Sequence, residues 1–202
     1  MAYTVILGVT GSIAAYKACE IVTSLVKSGT EVVVVMTQSA RQFVTPLTFQ
    51  TLSRNEVVTE LFGRQEVHDP HHVSLSDRAD LILIAPATAN IIGKMASGIA
   101  DDVLTCTVLA SKARVLLAPA MDDRMYTHPI VQGNIQKLKA IGYRFIGPVE
   151  GRLSSGRIGV GRMAPVEEIV QAVQEELKAL SSRSIKEAEI SGQARSSIAP
   201  KT

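Results

Sequence analysis

The chain has 202 residues, of which 46% are hydrophobic and 20% charged, with a formal net charge of +2. That length suffices for one domain with a sizeable core, and a near-neutral balance without a Lys/Arg cluster gives no electrostatic case for nucleic acid. Apolar runs such as 32–36 and 81–87 are too short to span a bilayer. The chain also opens on an apolar run without a charged leader or cleavage site, so the expectation is a cytoplasmic protein with no membrane partner.

Residues 4–9 are rich in β-branched side chains, read as a strand, and lead into Thr10-Gly11-Ser12. Over 13–27 the apolar residues Ile13, Ala14, Ala18, Ile21, Val22, Leu25 and Val26 recur at helical spacing, and Gly29 stops the helix. Residues 31–36 are the next strand, which gives the unit the proportions of a βαβ crossover. Residues 39–44 and 46–53 read as short helices, and His72-Val73-Ser74-Leu75 as a loop. Residues 80–85 form a buried strand. Helices at 90–95 and 101–112 flank Gly98, the first of them capped by Asn90. A strand at 114–118 precedes a helix at 129–141, closed by Gly142, and 143–147 is read as the last strand. In 165–180, Ile169, Val170, Val173, Leu177 and Leu180 share one helix face, with Pro165 and Glu167-Glu168 suited to the first turn. Strands alternating with helices predict an α/β fold, a doubly wound parallel sheet with helices on both faces. The domain is set at 1–180, and the polar, Ser/Lys-rich stretch 181–202 is expected to be a disordered tail or the start of a linker. Cys19 and Cys106 fall in helices without metal-ligand spacing and read as small core residues in a reducing compartment.

Polar groups cluster at the ends of the apolar runs, where an open parallel sheet places its ligand crevice. Gly11-Ser12-Ile13 follows a strand and opens a helix, so its amides and the Ser12 hydroxyl suit a phosphate. Neither GxGxxG nor GxxxxGK[ST] is present, which excludes the dinucleotide fingerprint and the Walker loop. Thr37-Gln38-Ser39 adds two hydroxyls at the same sheet edge. The tandem His71-His72 lacks the spacing that would complete a metal site, so acid–base work or holding a substrate group is the better use of His72. Pro86-Ala87-Thr88-Ala89-Asn90 and Pro119-Ala120-Met121 are two Pro-Ala loops whose small residues allow a flat ring to lie close to the backbone.

The phrases GVTGSIAAYK, HVSL, ADLILIAPATANIIGKMASGIADDVLT, APAMDDRMYTHP and GRLSSGRIGVGR together resemble the homo-oligomeric flavin-containing cysteine decarboxylases. Within that family they look most like the phosphopantothenoylcysteine decarboxylases of coenzyme A biosynthesis. The resemblance covers about 3–180. It implies a flavodoxin-like domain that binds FMN, a trimer or a dodecamer of trimers with the flavin at a subunit boundary, and in many relatives a synthetase domain in the same chain. On that resemblance Gly11, Ser12 and Ile13, with Thr37 and Ser39, match positions around the FMN phosphate. Thr88, Ala89, Asn90 and Ala120 match those lining the flavin. His72 matches the active-site histidine, Asp122 the group that holds the substrate carboxylate, in the loop that also carries Met125. The stretch 154–162, with Ser155, Gly156 and Arg162, matches a clamp over the substrate.

Two departures bear on chemistry. The family's PAMN appears as Pro119-Ala120-Met121-Asp122, and its ACGxxGxGR appears with Ser155 in place of the cysteine. In that family the flavin oxidises the cysteinyl thiol so that CO2 leaves, and the clamp cysteine helps return a proton so that the enethiol is reduced. A serine hydroxyl is a far weaker acid than a thiol. Two negative charges about 4 Å apart repel by roughly 4 kcal/mol at an effective dielectric near 20, so an ionised Asp122 is a poor carboxylate holder unless a proton is shared. The expectation is an FMN-dependent decarboxylase, phosphopantothenoylcysteine being the first substrate to consider. The alternatives are an oxidative peptidyl-cysteine decarboxylase that stops at the enethiol, a flavin prenyltransferase, and a non-catalytic flavin-binding regulatory subunit.

Overall fold

The computed structural model describes residues 3–61 and 71–196, with side chains throughout except at 71, 72 and 183–196. Five strands, β1 (Thr4–Val9), β2 (Glu31–Met36), β3 (Leu81–Ala87), β4 (Arg114–Pro119) and β5 (Arg144–Phe145), make one parallel sheet in the order β2-β1-β3-β4-β5. The helices are α1 (Lys17–Lys27), α2 (Pro46–Ser53), α3 (His71–Arg78), α4 (Ala89–Ser97), α5 (Val103–Ala110), α6 (Asp123–Tyr126), α7 (Pro129–Ala140) and α8 (Val166–Ser196). From β1 the chain first moves outward to β2 and then crosses to β3 on the other side. That reversal leaves a crevice at the carboxyl ends of β1 and β3, the flavodoxin-like arrangement.

Side chains alternate along a strand, so Val5, Leu7, Val9, Leu81 and Leu83 face one core while Ile6, Ile82 and Ile84 face the other. Ile21, Val22 and Leu25 of α1 and Ile169 and Val173 of α8 cover the first face. Ile91 and Ile92 of α4, Leu104 of α5 and Leu138 of α7 cover the second. Burial on both faces is why these strands read as unbroken apolar runs. A Cβ on Gly8 would lie 2.6 Å from Leu104, so a glycine there lets α5 seat against β1.

Several local expectations change. The segment after β1 begins as a 3₁₀ turn, Ile13–Tyr16, and becomes α-helical only at Lys17. The helix expected at 39–44 is a three-residue 3₁₀ turn, Ala40–Gln42. His72-Val73-Ser74-Leu75 is not a loop: its backbone is the first half of α3. Among its described side chains the only large one buried is Leu75, and Ser76 Oγ donates to the Val73 carbonyl at 2.8 Å, so its polar sequence carries almost no apolar period. Asn90 is not the cap of α4. Thr88 is, accepting from the Ile91 amide at 3.4 Å, and Asn90 sits exposed in the first turn. The strand at 143–147 shortens to β5 and is not the last, because β6 (Val149–Arg152) and β7 (Ile158–Arg162) follow as an antiparallel ribbon. Its short strands are rich in Gly and Arg, and the two apolar residues that alternate in β7, Ile158 and Val160, are too few to make a strand signal and stay exposed. Beyond Leu180, where the apolar stripe ends, the backbone stays helical to Ser196; Ala, Glu, Lys and Arg favour that state without any packing. Residues 197–202 lie outside the described residues.

Candidate active site

The carboxyl ends of the strands open into a cleft of about 1230 Å³. Thr10 ties its two sides together. Its hydroxyl, only 2% exposed as a residue, donates to the Pro86 carbonyl at 2.6 Å and accepts from the Thr88 amide at 3.2 Å. The loops after β1 and β2 touch directly: a Cβ on Gly11 would fall 2.4 Å from the Ser39 Cβ. Ser12 caps the following turn by accepting from the Ala14 amide at 3.3 Å, which leaves its own O–H to donate. The Thr37 hydroxyl accepts from the Ala40 amide at 3.3 Å, and Ser39 makes no side-chain hydrogen bond among the described residues. Against these polar groups stands a wall of Ala89, Ile91, Ala120 and Met121.

Lys94, near the end of α4, reaches across the Gly98 turn to Asp101 at 2.6 Å and Asp102 at 3.2 Å. Burial pulls its ammonium down, but the two hydrogen bonds outweigh it and hold Lys94 above its ordinary value. The same bond holds Asp101 below the usual carboxylate value. Asp102 also makes a capping box with Thr105 at the start of α5.

The β6–β7 ribbon lies over the loop after β4. The Met121 amide donates to the Gly161 carbonyl at 2.9 Å, and a Cβ on Gly161 would fall 2.2 Å from the Met121 oxygen. A Cβ on Gly159 would fall 2.7 Å from the Asp123 Cβ, so only glycine allows this docking. At the end of the ribbon's turn, Arg157 Nη2 donates to Asp122 Oδ1 at 2.5 Å, Asp122 Oδ2 at 2.7 Å and Asp123 Oδ1 at 2.8 Å. Hydrogen bonding to Arg157 holds the Asp123 carboxyl below its ordinary value, and hydrogen bonding to Asp123 raises the guanidinium. Asp122 also caps α6 by accepting from the Arg124 amide at 3.2 Å.

Of the residues singled out from sequence, Gly11, Ser12, Ile13, Thr37, Ser39, Thr88, Ala89, Asn90 and Ala120 all line the cleft, and so do Asp122, Met125 and Arg162. Ser155 and Gly156 do not; they sit exposed at the ribbon's turn, next to Ser154, which does. The His72 side chain lies outside the described residues, and no described residue of α3 lines the cleft of this single chain. The sequence reading missed Thr10, the Lys94–Asp101–Asp102 cluster and Arg157. A threonine directly after an apolar strand could have pointed to the first. The other two depend on contacts that local spacing does not reveal. No group of His, Cys, Asp and Glu suited to a metal ion occurs among the described residues.

Comparison with known proteins agrees with this architecture. A coenzyme A biosynthesis bifunctional protein, CoaBC, of Bacillus subtilis is 52% identical over 170 residues, 84% of this chain and 42% of that protein. A probable phosphopantothenoylcysteine decarboxylase of Streptococcus mutans is 41% identical over 179 residues, 88% of this chain and 100% of that protein. The chain thus spans about two fifths of the bifunctional relative and the full length of the other. Among solved structures, a PPC decarboxylase mutant complexed with pantothenoylaminoethenethiol superposes with a TM-score of 0.78 at 28% identity, covering 88% of this chain and 100% of that one. The FMN-dependent cysteine decarboxylase SpaF gives 0.71 at 32% identity, covering 85% and 97%. Residues 1–178 match the family model described as Flavoprotein, and the chain belongs to that family.

Proposed function

We propose that this chain is an FMN-dependent decarboxylase of a cysteinyl carboxylate, with phosphopantothenoylcysteine as substrate and phosphopantetheine as product. The observation that carries the reading is one cleft in which hydroxyls and amides from the loops after β1 and β2 face a wall of small apolar residues, with an Arg-bearing ribbon beside it. The cradle fits FMN. Gly11 has no room for a Cβ, and Ser12 and Ser39 retain hydroxyl donors, which suits one terminal phosphate. Gly11, Ser12, Ile13, Thr37 and Ser39 would hold that phosphate, and Thr88, Ala89, Asn90 and Ala120 the ring. When bound, FMN would supply a two-electron acceptor for oxidation of the substrate's cysteinyl thiol. Asp122, Met125, Gly156 and Arg162 are the substrate-binding set, and His72 is the acid–base or positioning group.

The position of Ser155 favours a second reading of the product. It stands where the resembled family has the clamp cysteine, on an exposed turn outside the cleft of this single chain, and its hydroxyl is a far poorer proton donor than a thiol. An oxidative decarboxylase that releases the enethiol is the alternative. Oligomerisation belongs to the same proposal: a homotrimer or a dodecamer of trimers in the cytoplasm, with a synthetase domain or subunit as a further partner. Ile13 at 58%, Tyr16 at 56% and Phe43 at 48% exposure stand at the cleft's rim, and a subunit boundary there would cover them.

The test is anaerobic incubation of the flavin-loaded protein with phosphopantothenoylcysteine, measuring CO2 and product mass. The saturated thiol over many turnovers supports the first reading. One equivalent of a product lighter by two hydrogens, with the flavin bleached, supports the second. A protein that takes up no FMN, or releases no CO2, refutes both.

A further inference from the structure

Asp122 and Asp123 both point a carboxylate at a single nitrogen of Arg157. Asp122 lines the cleft, so its charge is felt by whatever binds there. A guanidinium has five N–H donors. The three contacts to the aspartates all run through Nη2, and Arg157 Nε is buried without an acceptor among the described residues. Arg157 does not itself line the cleft, so it acts on a bound group through Asp122, which does. The arginine's reach is fixed as well, because the ribbon that carries it is docked on glycines 159 and 161 and on the Met121–Gly161 hydrogen bond. Lys94, another cation lining the cleft, is already paired with Asp101 and Asp102. Lys17, Arg152 and Arg162 also line the cleft, without an ion pair to Asp122.

We propose that Arg157 is a charge-balancing and positioning residue that admits a carboxylate-bearing substrate beside Asp122. This rests on the decarboxylase reading above and adds to it the group that sets specificity for the acid. The Asp122–Asp123–Arg157 cluster carries a formal charge of −1. Arg157→Gln makes it −2, Asp122→Asn makes it 0, and the double variant returns it to −1. Affinity for a substrate with a free carboxylate should follow that series, and affinity for an analogue of the same shape whose carboxylate is replaced by a neutral carboxamide should follow it much less.

The experiment uses the flavin-loaded protein and two probes, phosphopantothenoylcysteine and its cysteine carboxamide. The KM of the acid is divided by the inhibition constant of the amide. Arg157→Gln should raise that ratio by at least about tenfold, a figure held well below the unscreened Coulomb value because the pair is partly exposed. Adding Asp122→Asn should bring the ratio back to within about threefold of wild type. Arg157→Lys, which keeps the charge and loses the fork, should leave the ratio near wild type even if both ligands weaken. If Arg157 serves only to hold the ribbon, acid and amide weaken together and Asp122→Asn rescues neither, which overturns the inference and leaves the decarboxylase reading standing. A wild type that fails to convert the acid overturns that reading, and this inference with it.

Discussion

Gly11→Ala perturbs the cleft at its tightest point. The new Cβ would lie 2.4 Å from the Ser39 Cβ, 3.2 Å from the Ser39 carbonyl carbon and 3.4 Å from its Cα. Real Cβ atoms essentially never approach within 3.0 Å, so the loops after β1 and β2 must part by at least about half an ångström. The strands cannot absorb this, because β1 and β2 are paired in register from Thr4↔Glu31 to Val9↔Met36 and Thr37 still donates its amide to Val9. The displacement is therefore confined to the two loops proposed to share the FMN phosphate. Overpacking of this kind costs about 1–3 kcal/mol, equivalent to an FMN affinity lower by about 5- to 150-fold. Flavin fluorescence quenching measures the affinity, and thermal unfolding of the flavin-free protein measures the fold. The expected result is a large loss of affinity with a small change in melting temperature. Ser39→Gly provides the control: with that Cβ gone, the nearest remaining contacts are the tolerable 3.2 and 3.4 Å, so Gly11→Ala should cost little in that background. An unchanged flavin affinity in Gly11→Ala, or an equal penalty in both backgrounds, refutes the argument.

Thr10→Val removes the only side-chain donor to the buried Pro86 carbonyl among the described residues and the acceptor of the Thr88 amide, and should cost about 1–3 kcal/mol in urea denaturation; a midpoint unchanged from wild type would show that the two loops need no tether. His72→Asn should keep FMN affinity and lose turnover, and activity within a few-fold of wild type would remove its acid–base role. For the ribbon, the sign of the pH effect follows from Asp123, whose carboxyl is depressed by Arg157. The stabilisation is complete above the ordinary carboxylate value and is lost only as pH falls through the depressed one. The amide resonances of Gly159 and Gly161 should therefore stay constant from neutral pH down to about 4 and shift below it; a midpoint at or above the ordinary carboxylate value would contradict the ion pair.

The parts of this molecule that were legible in its sequence are those written in local periodicity. The strands 4–9, 31–36 and 114–119 announce themselves because both sheet faces are buried, and α1 does so because Ile21, Val22 and Leu25 return every three or four residues. The cleft residues were legible for a related reason: in a parallel sheet the strand ends converge, so polar groups that follow apolar runs meet in space without any knowledge of the connections. The failures have an equally local cause. α3 stays hidden because Leu75 is the only large side chain buried among its described side chains. The ribbon stays hidden because glycines 151, 159 and 161 form its contact face, and a glycine offers contact by having no side chain at all. Asn90 looked like a cap because Thr88, the actual cap, also ends a strand-like run.

The same blind spot explains why Asp122 looks anomalous in one dimension and ordinary in three. Taken alone, an aspartate where the resembled family has an asparagine adds a charge that would repel a carboxylate about 4 Å away by roughly 4 kcal/mol at an effective dielectric near 20. Its counter-charge is 35 residues away, on a ribbon that no periodicity announces. Once the ribbon is docked, the arginine lies within hydrogen-bond distance of both Asp122 oxygens, and the repulsion has to be calculated for a cluster rather than for one carboxylate. The physical consequence is that positions 122 and 157 are coupled. The two charge changes are opposite in sign, so an asparagine at 122 and an uncharged residue at 157 each change acid recognition alone and nearly cancel together. Arg157→Gln without a change at 122 should weaken binding of an acidic substrate, whereas Asp122→Asn alone should strengthen it.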